Sequence, residues 1–145
     1  GLESSLKTAI ATGKPFLGIC LGLQILFDAS EEGQEPGLGI IKGKVRHFQS
    51  EPDLTIPHMG WNTLQFKQPH LPLWQNLPTD PQVYFVHSYY VDPQDAEVVA
   101  ATVTHGSQTV TAAIAKDNLM AVQFHPEKSA ELGLQILANF IHQAA

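Results

Sequence analysis

The chain has 145 residues, of which 43% are hydrophobic and 15% charged, values typical of a globular protein that can bury its own core. Its formal net charge of −6 at pH 7 argues against non-specific nucleic-acid binding, which needs a basic surface. The sequence contains no apolar run of about 18 residues, the length that a membrane-spanning helix requires, and its first residues do not resemble a signal peptide, so we expect neither feature. A single cysteine cannot form an internal disulfide and suits a reducing cytoplasm, and the seven histidines lack metal-ligand spacing.

The predicted elements begin with a helix over residues 2–12, where apolar residues recur at helical spacing. The short apolar run 15–20 predicts a buried parallel strand. Residues 21–29 are apolar on most faces and predict a second helix that packs against a sheet. Three glycines and a proline make residues 31–39 a loop.

The middle of the chain predicts β-structure, in strands over residues 40–48, 60–66, 82–87, 97–104, 108–116 and 119–124. Turn residues at 105–107 and 117–118 indicate hairpins. Four prolines make residues 68–81 mostly irregular, and an apolar stripe predicts a final helix over residues 129–143. We expect one α/β domain over residues 1–145, with an antiparallel insertion.

Cys20 lies in Gly18-Ile19-Cys20-Leu21-Gly22, between the first predicted strand and the second predicted helix. Glycines on both sides remove the Cβ atoms that would crowd a sharp strand-to-helix turn, the turn that exposes the nucleophile of many hydrolases. A cysteine at a helix N-terminus also meets the positive end of the helix dipole, which favours the thiolate. The alternative is a buried, unreactive cysteine at a helix start.

A thiol nucleophile needs a general base, and histidine is the usual choice. His125 follows the strand 119–124, Pro126 favours an extended conformation for it, and Glu127 is close enough to bind one imidazole nitrogen. Because the carboxyl ends of parallel strands meet at one edge of a sheet, we expect Cys20 and His125 to lie together. A surface or capping histidine is the alternative interpretation.

His87 is the rival candidate for the base, because it also ends a predicted strand. The residues that follow it, Ser88 and Tyr89, could contact a polar substrate, or they could form a polar cluster at the strand end.

Two segments resemble the catalytic signatures of the class I glutamine amidotransferases, which use Cys, His and Glu to hydrolyse the side-chain amide of glutamine. They are Gly18-Ile19-Cys20-Leu21-Gly22-Leu23-Gln24 and Gln123-Phe124-His125-Pro126-Glu127-Lys128-Ser129. Two further segments are similar to the glutaminase subunits of imidazole glycerol phosphate synthase, in histidine biosynthesis. These are Pro57-His58-Met59-Gly60-Trp61-Asn62 and Tyr84-Phe85-Val86-His87-Ser88-Tyr89-Tyr90. The resemblance implies a flavodoxin-like fold, with a mostly parallel central sheet flanked by helices.

The resemblance also implies a role for each matching residue. Cys20 would attack glutamine, His125 would be the general acid and base, and Glu127 would orient it. The backbone N–H of Leu21 would stabilise the oxyanion. Glutamine would be bound by Gln24, Ser88 and Tyr89. The ammonia would pass to a (β/α)₈-barrel cyclase subunit. The residues that would face this subunit are Trp61, Asn62, Tyr84 and Lys128. The resemblance implies neither a cofactor nor a metal.

The family pattern begins with a strand–helix–strand portion that these 145 residues lack. That portion carries a Gly-rich loop with the second oxyanion donor, and the loss of one such donor costs about 3–4 kcal/mol of transition-state stabilisation. We therefore expect the 145 residues alone to be a poor glutaminase.

Two other functions stay open at this point. The chain could serve another class I amidotransferase, for anthranilate, carbamoyl phosphate or guanylate synthesis, with the same chemistry and a different acceptor. It could instead be a non-catalytic, chaperone-like α/β protein whose Cys20 senses oxidants.

Overall fold

The computed structural model describes residues 1–144, which contain three α-helices and ten strands. The helices are α1 (Leu2–Ala11), α2 (Leu21–Gln24) and α3 (Ala130–Ala144). The strands are β1 (Phe16–Ile19), β2 (Phe27–Ser30), β3 (Ile41–His47), β4 (His58–Thr63), β5 (Gln65–Phe66), β6 (Gln82–His87), β7 (Tyr89–Pro93), β8 (Val99–His105), β9 (Gln108–Lys116) and β10 (Leu119–Val122). None of the helices within residues 1–144 is long and apolar enough to cross a membrane.

The larger sheet has the strand order β1-β10-β9-β7-β3-β2, with β8 paired to β9 and β5 to β8. The strands β1 and β10 run parallel, as do β2 and β3, and the other described pairs are antiparallel. The expected α/β class is present, but the described sheet is mixed, not mostly parallel. The reason is that the two predicted hairpins, β8–β9 and β9–β10, return the chain directly beside itself.

A separate antiparallel ribbon is formed by β4 and β6. Its register places His58 opposite His87 and Trp61 opposite Tyr84. Because side chains alternate between the two faces of a strand, these two cross-strand pairs lie on opposite faces of the ribbon.

The hydrophobic core lies in two clusters of buried side chains. One packs Ile136 of α3 with Phe85 and Phe124, and the other packs Leu23 with Phe27. The first cluster includes Val83 and Phe85 of the ribbon strand β6, and the second includes Leu23 of α2, which follows Cys20. Both clusters therefore support the ends of the strands at which the candidate site residues lie.

The second predicted helix is wrong over most of its length. Only Leu21–Gln24 is helical, and Phe27–Ser30 forms β2, because Phe27 is buried and Asp28 accepts a hydrogen bond from the Gly43 N–H at 3.1 Å. The strand β7 was not predicted at all, and it lies between β3 and β9. The start of the predicted strand 97–104 forms a short 3₁₀ turn, Ala96–Val98. The final helix and the first helix agree with prediction within two residues.

Candidate active site

Cys20 occupies a sharp turn between β1 and α2, as predicted. Its backbone has φ 54° and ψ −105°, a conformation that costs a residue with a Cβ roughly 1–3 kcal/mol. The Cys20 N–H donates to the carbonyl of Val122 at 2.8 Å, which fixes the turn to the end of β10. A Cβ at Gly18 would lie 2.5 Å from the carbonyl oxygen of Gly22, so Gly18 has to be glycine. We also expected Gly22 to be needed because a Cβ would crowd the turn, but this is wrong, because a Cβ at Gly22 would meet nothing within 4 Å.

The thiol of Cys20 does not gain the low pKa that we expected from a helix dipole. Burial raises the pKa of the Cys20 thiol, and hydrogen bonds from the Leu21 N–H and the Gln123 side chain lower it only in part. The helix α2 has four residues, too few to build a substantial macrodipole. The resting group is therefore a thiol that has to give its proton to a base before it can attack.

His125 and Glu127 make the contact that we predicted from their spacing. His125 is extended, with φ −102° and ψ 101°, and its Nδ1 lies 2.7 Å from Oε1 of Glu127. Because a carboxylate only accepts, Nδ1 carries the proton and leaves Nε2 as the basic nitrogen of a neutral ring. That Nε2 is buried and makes no hydrogen bond within residues 1–144. Burial opposes ionisation of Glu127, but hydrogen bonds from its own backbone N–H and from His125 outweigh this effect and lower its pKa.

Ser129 holds the His125 loop against the ribbon. Its hydroxyl donates to the carbonyl of His125 at 2.7 Å and accepts from the N–H of Tyr84 at 2.9 Å. The His125 N–H in turn donates to the carbonyl of Tyr84 at 3.0 Å. Three hydrogen bonds thus fix the histidine backbone just beyond β10, and Cys20 lies just beyond β1, the parallel neighbour of β10.

A cleft of about 350 Å³ brings the predicted nucleophile and the predicted glutamine-binding residues together. This volume falls in the range of small-molecule pockets, roughly 300–1,000 Å³. The cleft is lined by Cys20, Leu21, Gln24, Glu32, Pro57, Val86, His87, Ser88 and Tyr89. Its polar groups and its thiol suit a small polar substrate that bears an electrophilic carbon.

His87, the rival candidate for the base, is buried, and both of its ring nitrogens are hydrogen-bonded within the chain. Its Nδ1 lies 2.8 Å from the carbonyl of Tyr89 and its Nε2 lies 2.8 Å from Nδ1 of His58. Burial, ahead of other causes, lowers the pKa of His87 to about 4 and that of His58 to about 3. Both rings are thus neutral near pH 7, and His87 has neither nitrogen free to take a proton from Cys20.

Three of the four residues predicted to face a partner form an exposed cluster, in which Trp61 and Lys128 are exposed and Tyr84 is half-buried. Trp61 is 54% exposed and packs edge-on against Tyr84, with ring centroids 6.0 Å apart. The ammonium of Lys128 lies 6.0 Å from the centre of the Tyr84 ring. Asn62 does not join this cluster, because its side-chain amide binds Nε2 of His58 and the carbonyl of Thr104.

Sequence reasoning missed Gln123 as a site residue. Its side chain is fully buried, and its Nε2 lies 3.6 Å from Sγ of Cys20. A signal was available, because Gln123 is the one polar residue in the run from Leu119 to Phe124. A buried amide needs a partner, and here that partner is the nucleophile.

The family model that describes glutamine amidotransferase class I matches residues 2–144. The chain is 74% identical to the imidazole glycerol phosphate synthase subunit HisH of Synechocystis sp. over 145 residues, which cover 100% of this chain and 69% of the relative. It is 76% identical to the HisH subunit of Gloeothece citriformis over 142 residues, which cover 98% of this chain and 67% of the relative. The chain thus spans about two thirds of the length of these curated relatives.

Solved structures with low sequence identity share the fold. PurLQS from Thermotoga maritima superposes with a TM-score of 0.73 at 19% identity, covering 99% of this chain and 68% of that one. The glutaminase domain of Trypanosoma brucei CTPS, solved with bound acivicin, superposes with a TM-score of 0.65 at 19% identity, covering 97% and 65%. With the match of residues 2–144 to the family model and these sequence identities, the chain belongs to the class I glutamine amidotransferases, and within them to the HisH subunits of imidazole glycerol phosphate synthase.

Proposed function

We propose that this chain is a glutaminase subunit that hydrolyses glutamine to glutamate and ammonia through a thioester on Cys20. The observation that carries the proposal is the pair formed by a strained cysteine turn and a histidine whose Nδ1–H is held by Glu127. That hydrogen bond leaves the buried Nε2 of His125 as the nitrogen that can accept a proton, and the proposed reaction brings the Cys20 thiol to it.

In the first half of the reaction, Nε2 of His125 takes the proton from Cys20, and the sulfur attacks the carboxamide carbon of glutamine. The N–H of Leu21 binds Sγ at rest, so it is close to the carbon that the sulfur attacks and would donate to the developing oxyanion. The C–N bond then breaks, and the protonated His125 gives its proton to the departing ammonia. Glu127 stabilises the imidazolium that exists between these two steps.

In the second half, water adds to the thioester. His125 takes a proton from the water, the carbon–sulfur bond breaks, and the proton returns to the sulfur as glutamate leaves. Gln24, Ser88 and Tyr89 line the cleft beside Cys20 and would hold the glutamine throughout. Neither half requires a cofactor or a metal.

The ammonia passes to a (β/α)₈-barrel cyclase subunit that makes imidazole glycerol phosphate, in the cytoplasm. The names of the HisH relatives support such a partner, and the exposed cluster of Trp61, Tyr84 and Lys128 is the surface that we assign to it. Aromatic residues are enriched at protein interfaces, and this cluster lies directly beside the loop of His125.

Labelling of Cys20 by a glutamine-mimicking electrophile tests the chemistry, because the chain has no other cysteine. We expect labelling that glutamine slows in a concentration-dependent way and that Cys20→Ser abolishes. Labelling that is indifferent to glutamine would contradict the proposal and favour an oxidant-sensing thiol.

The acceptor is tested by measuring glutamate release with the cyclase subunit present. We expect release to rise with the cyclase and its ligand, and Trp61→Ala to weaken this response. An equal response to the partner of an anthranilate or guanylate synthase would overturn the assignment of the acceptor.

A further inference from the structure

Gln123 stands beside the nucleophile as a fully buried amide with both ends paired. Its Nε2 lies 3.6 Å from Sγ of Cys20, and its Oε1 accepts from Nε2 of Gln24 at 3.3 Å. The backbones of residues 20 and 122 are joined by a hydrogen bond, so Gln123 lies at the register position next to the cysteine turn. The side chain therefore reaches the sulfur from the parallel neighbouring strand.

The direction of these hydrogen bonds is set by the carbonyl of Tyr89. A carbonyl oxygen only accepts, so the Gln24 atom 3.4 Å from it is the amide nitrogen. The same nitrogen faces Gln123, which has to present its oxygen there. The other end of the Gln123 amide, the end facing Sγ of Cys20, is consequently an N–H donor.

A second arm of hydrogen bonds holds the Tyr89 carbonyl in place. His87 donates its Nδ1–H to that carbonyl, and its Nε2 accepts from Nδ1–H of His58. Nε2 of His58 accepts from the side-chain amide of Asn62 at 3.0 Å. Each donor in this arm has one acceptor that fits it, so the tautomer of both histidines is fixed while they are neutral.

We propose that Gln123 is a positioning residue for Cys20, whose Nε2–H donates to the sulfur, fixes the direction of its attack and stabilises its anionic form. The hydrogen bond becomes charge-assisted once the proton has moved from Sγ to Nε2 of His125, and such bonds are stronger than those to a neutral acceptor. The importance of this bond for turnover rests on the proposed glutaminase function. The hydrogen bond itself can be tested without glutamine.

Several charged or titratable groups also face the sulfur. Lys128 favours the thiolate and Glu127 opposes it, while Glu32 and His87 line the same cleft and His125 supplies the base. All five stay in place in the variants below, so a change in the titration of the thiol reports on the amide donor.

The test is the pH dependence of Cys20 alkylation by iodoacetamide in Gln123→Met, a substitution of similar length and volume that lacks the donor. We expect the pKa of the thiol to rise by about one unit. The matched control is Asn139→Leu, which removes another buried amide, one that donates to the carbonyls of Leu73 and Gln75. The control should unfold more easily and leave the titration of the thiol unchanged.

A second variant covers the case in which Gln123→Met does not fold. Gln24→Met removes the donor that orients the Gln123 amide and should raise the pKa of the thiol in the same direction by a smaller amount. An unchanged titration in the variants that fold, or an equal shift in Asn139→Leu, would overturn the proposal. Failure of glutamine to slow labelling would instead count against the glutaminase function and leave this result intact.

Discussion

The substitution Gly18→Ala is the sharpest test of how the sequence builds the cysteine turn. An added Cβ would lie 2.5 Å from the carbonyl oxygen of Gly22, 2.8 Å from its carbonyl carbon and 3.2 Å from the Cβ of Ala121. The first two atoms are backbone, and they belong to the same turn as Cys20. The clash can be relieved only if α2 moves away from β1.

The expected cost follows from this geometry. Overpacking in a well-packed region costs about 1–3 kcal/mol, and the two contacts under 3 Å place this variant toward the upper end of that range. Movement of α2 also displaces the N–H of Leu21 from the sulfur, and a displacement of about 1 Å at a reacting group can lower a rate by about a hundredfold. We expect a lower free energy of unfolding together with a large loss of glutamate release.

Gly22→Ala is the matched control, since it lies four residues away in α2 and its added Cβ would meet nothing within 4 Å. Alanine is favoured over glycine within a helix by about 0.5–1 kcal/mol, so this variant should be as stable as the unchanged chain or slightly more stable. Urea unfolding measures the stability of both variants, and glutamate release with the cyclase subunit measures their activity. The reasoning is refuted if the two substitutions change stability equally, or if Gly18→Ala leaves the urea midpoint unchanged.

Two further predictions concern protons. Glu127→Gln keeps the shape of the side chain but removes the charge that holds Nδ1–H of His125, so glutamate release with the cyclase should fall about ten- to a hundredfold. The control Glu3→Gln, on α1, should leave the rate of release unchanged. Equal rates in the two variants would exclude Glu127 as the orienting group. The buried pair His58 and His87 has pKa values of about 3 and 4 when folded and about 6.5 when unfolded, so the unfolded chain binds more protons below pH 6.5. The free energy of unfolding that the neutral histidines contribute is therefore complete above pH 6.5, and it declines by about 1.4 kcal/mol per pH unit for each proton taken up as the pH falls toward 4. Denaturant midpoints measured across this range should fall less steeply with decreasing pH in His87→Gln than in the unchanged chain. An equal slope in both proteins would refute this prediction.

Features that depend on a few neighbouring residues could be predicted from the sequence. The turn at Cys20 follows from its flanking apolar run and Gly18, and the contact of His125 with Glu127 follows from two residues of separation and the stiffness of Pro126. The hairpins β8–β9 and β9–β10 follow from their turn residues. In each case the cause lies within about five residues of its effect.

Features that depend on distant partners could not be predicted in this way. Residues 27–29 end the apolar run 21–29 that predicts a helix, but they form part of β2 because Ile41 and Val45 of β3 lie beside that strand. The thiol of Cys20 has a raised pKa because its burial, which no local pattern records, outweighs the hydrogen bonds that it receives. The short length of α2 removes the helix dipole on which the opposite expectation relied.

The ribbon of β4 and β6 shows how one register creates two different surfaces. The pairing of His58 with His87 places the hydrogen-bonded histidines on the buried face, and alternation then sends Trp61 and Tyr84 to the exposed face. Asn62 lies on the same face of β4 as His58, which is why its amide binds His58 and does not join the cluster of Trp61 and Tyr84. A slip of one residue would exchange the two faces and destroy both sets of contacts. The register of this ribbon thus couples the histidine arm behind the cleft to the aromatic surface that we assign to the cyclase.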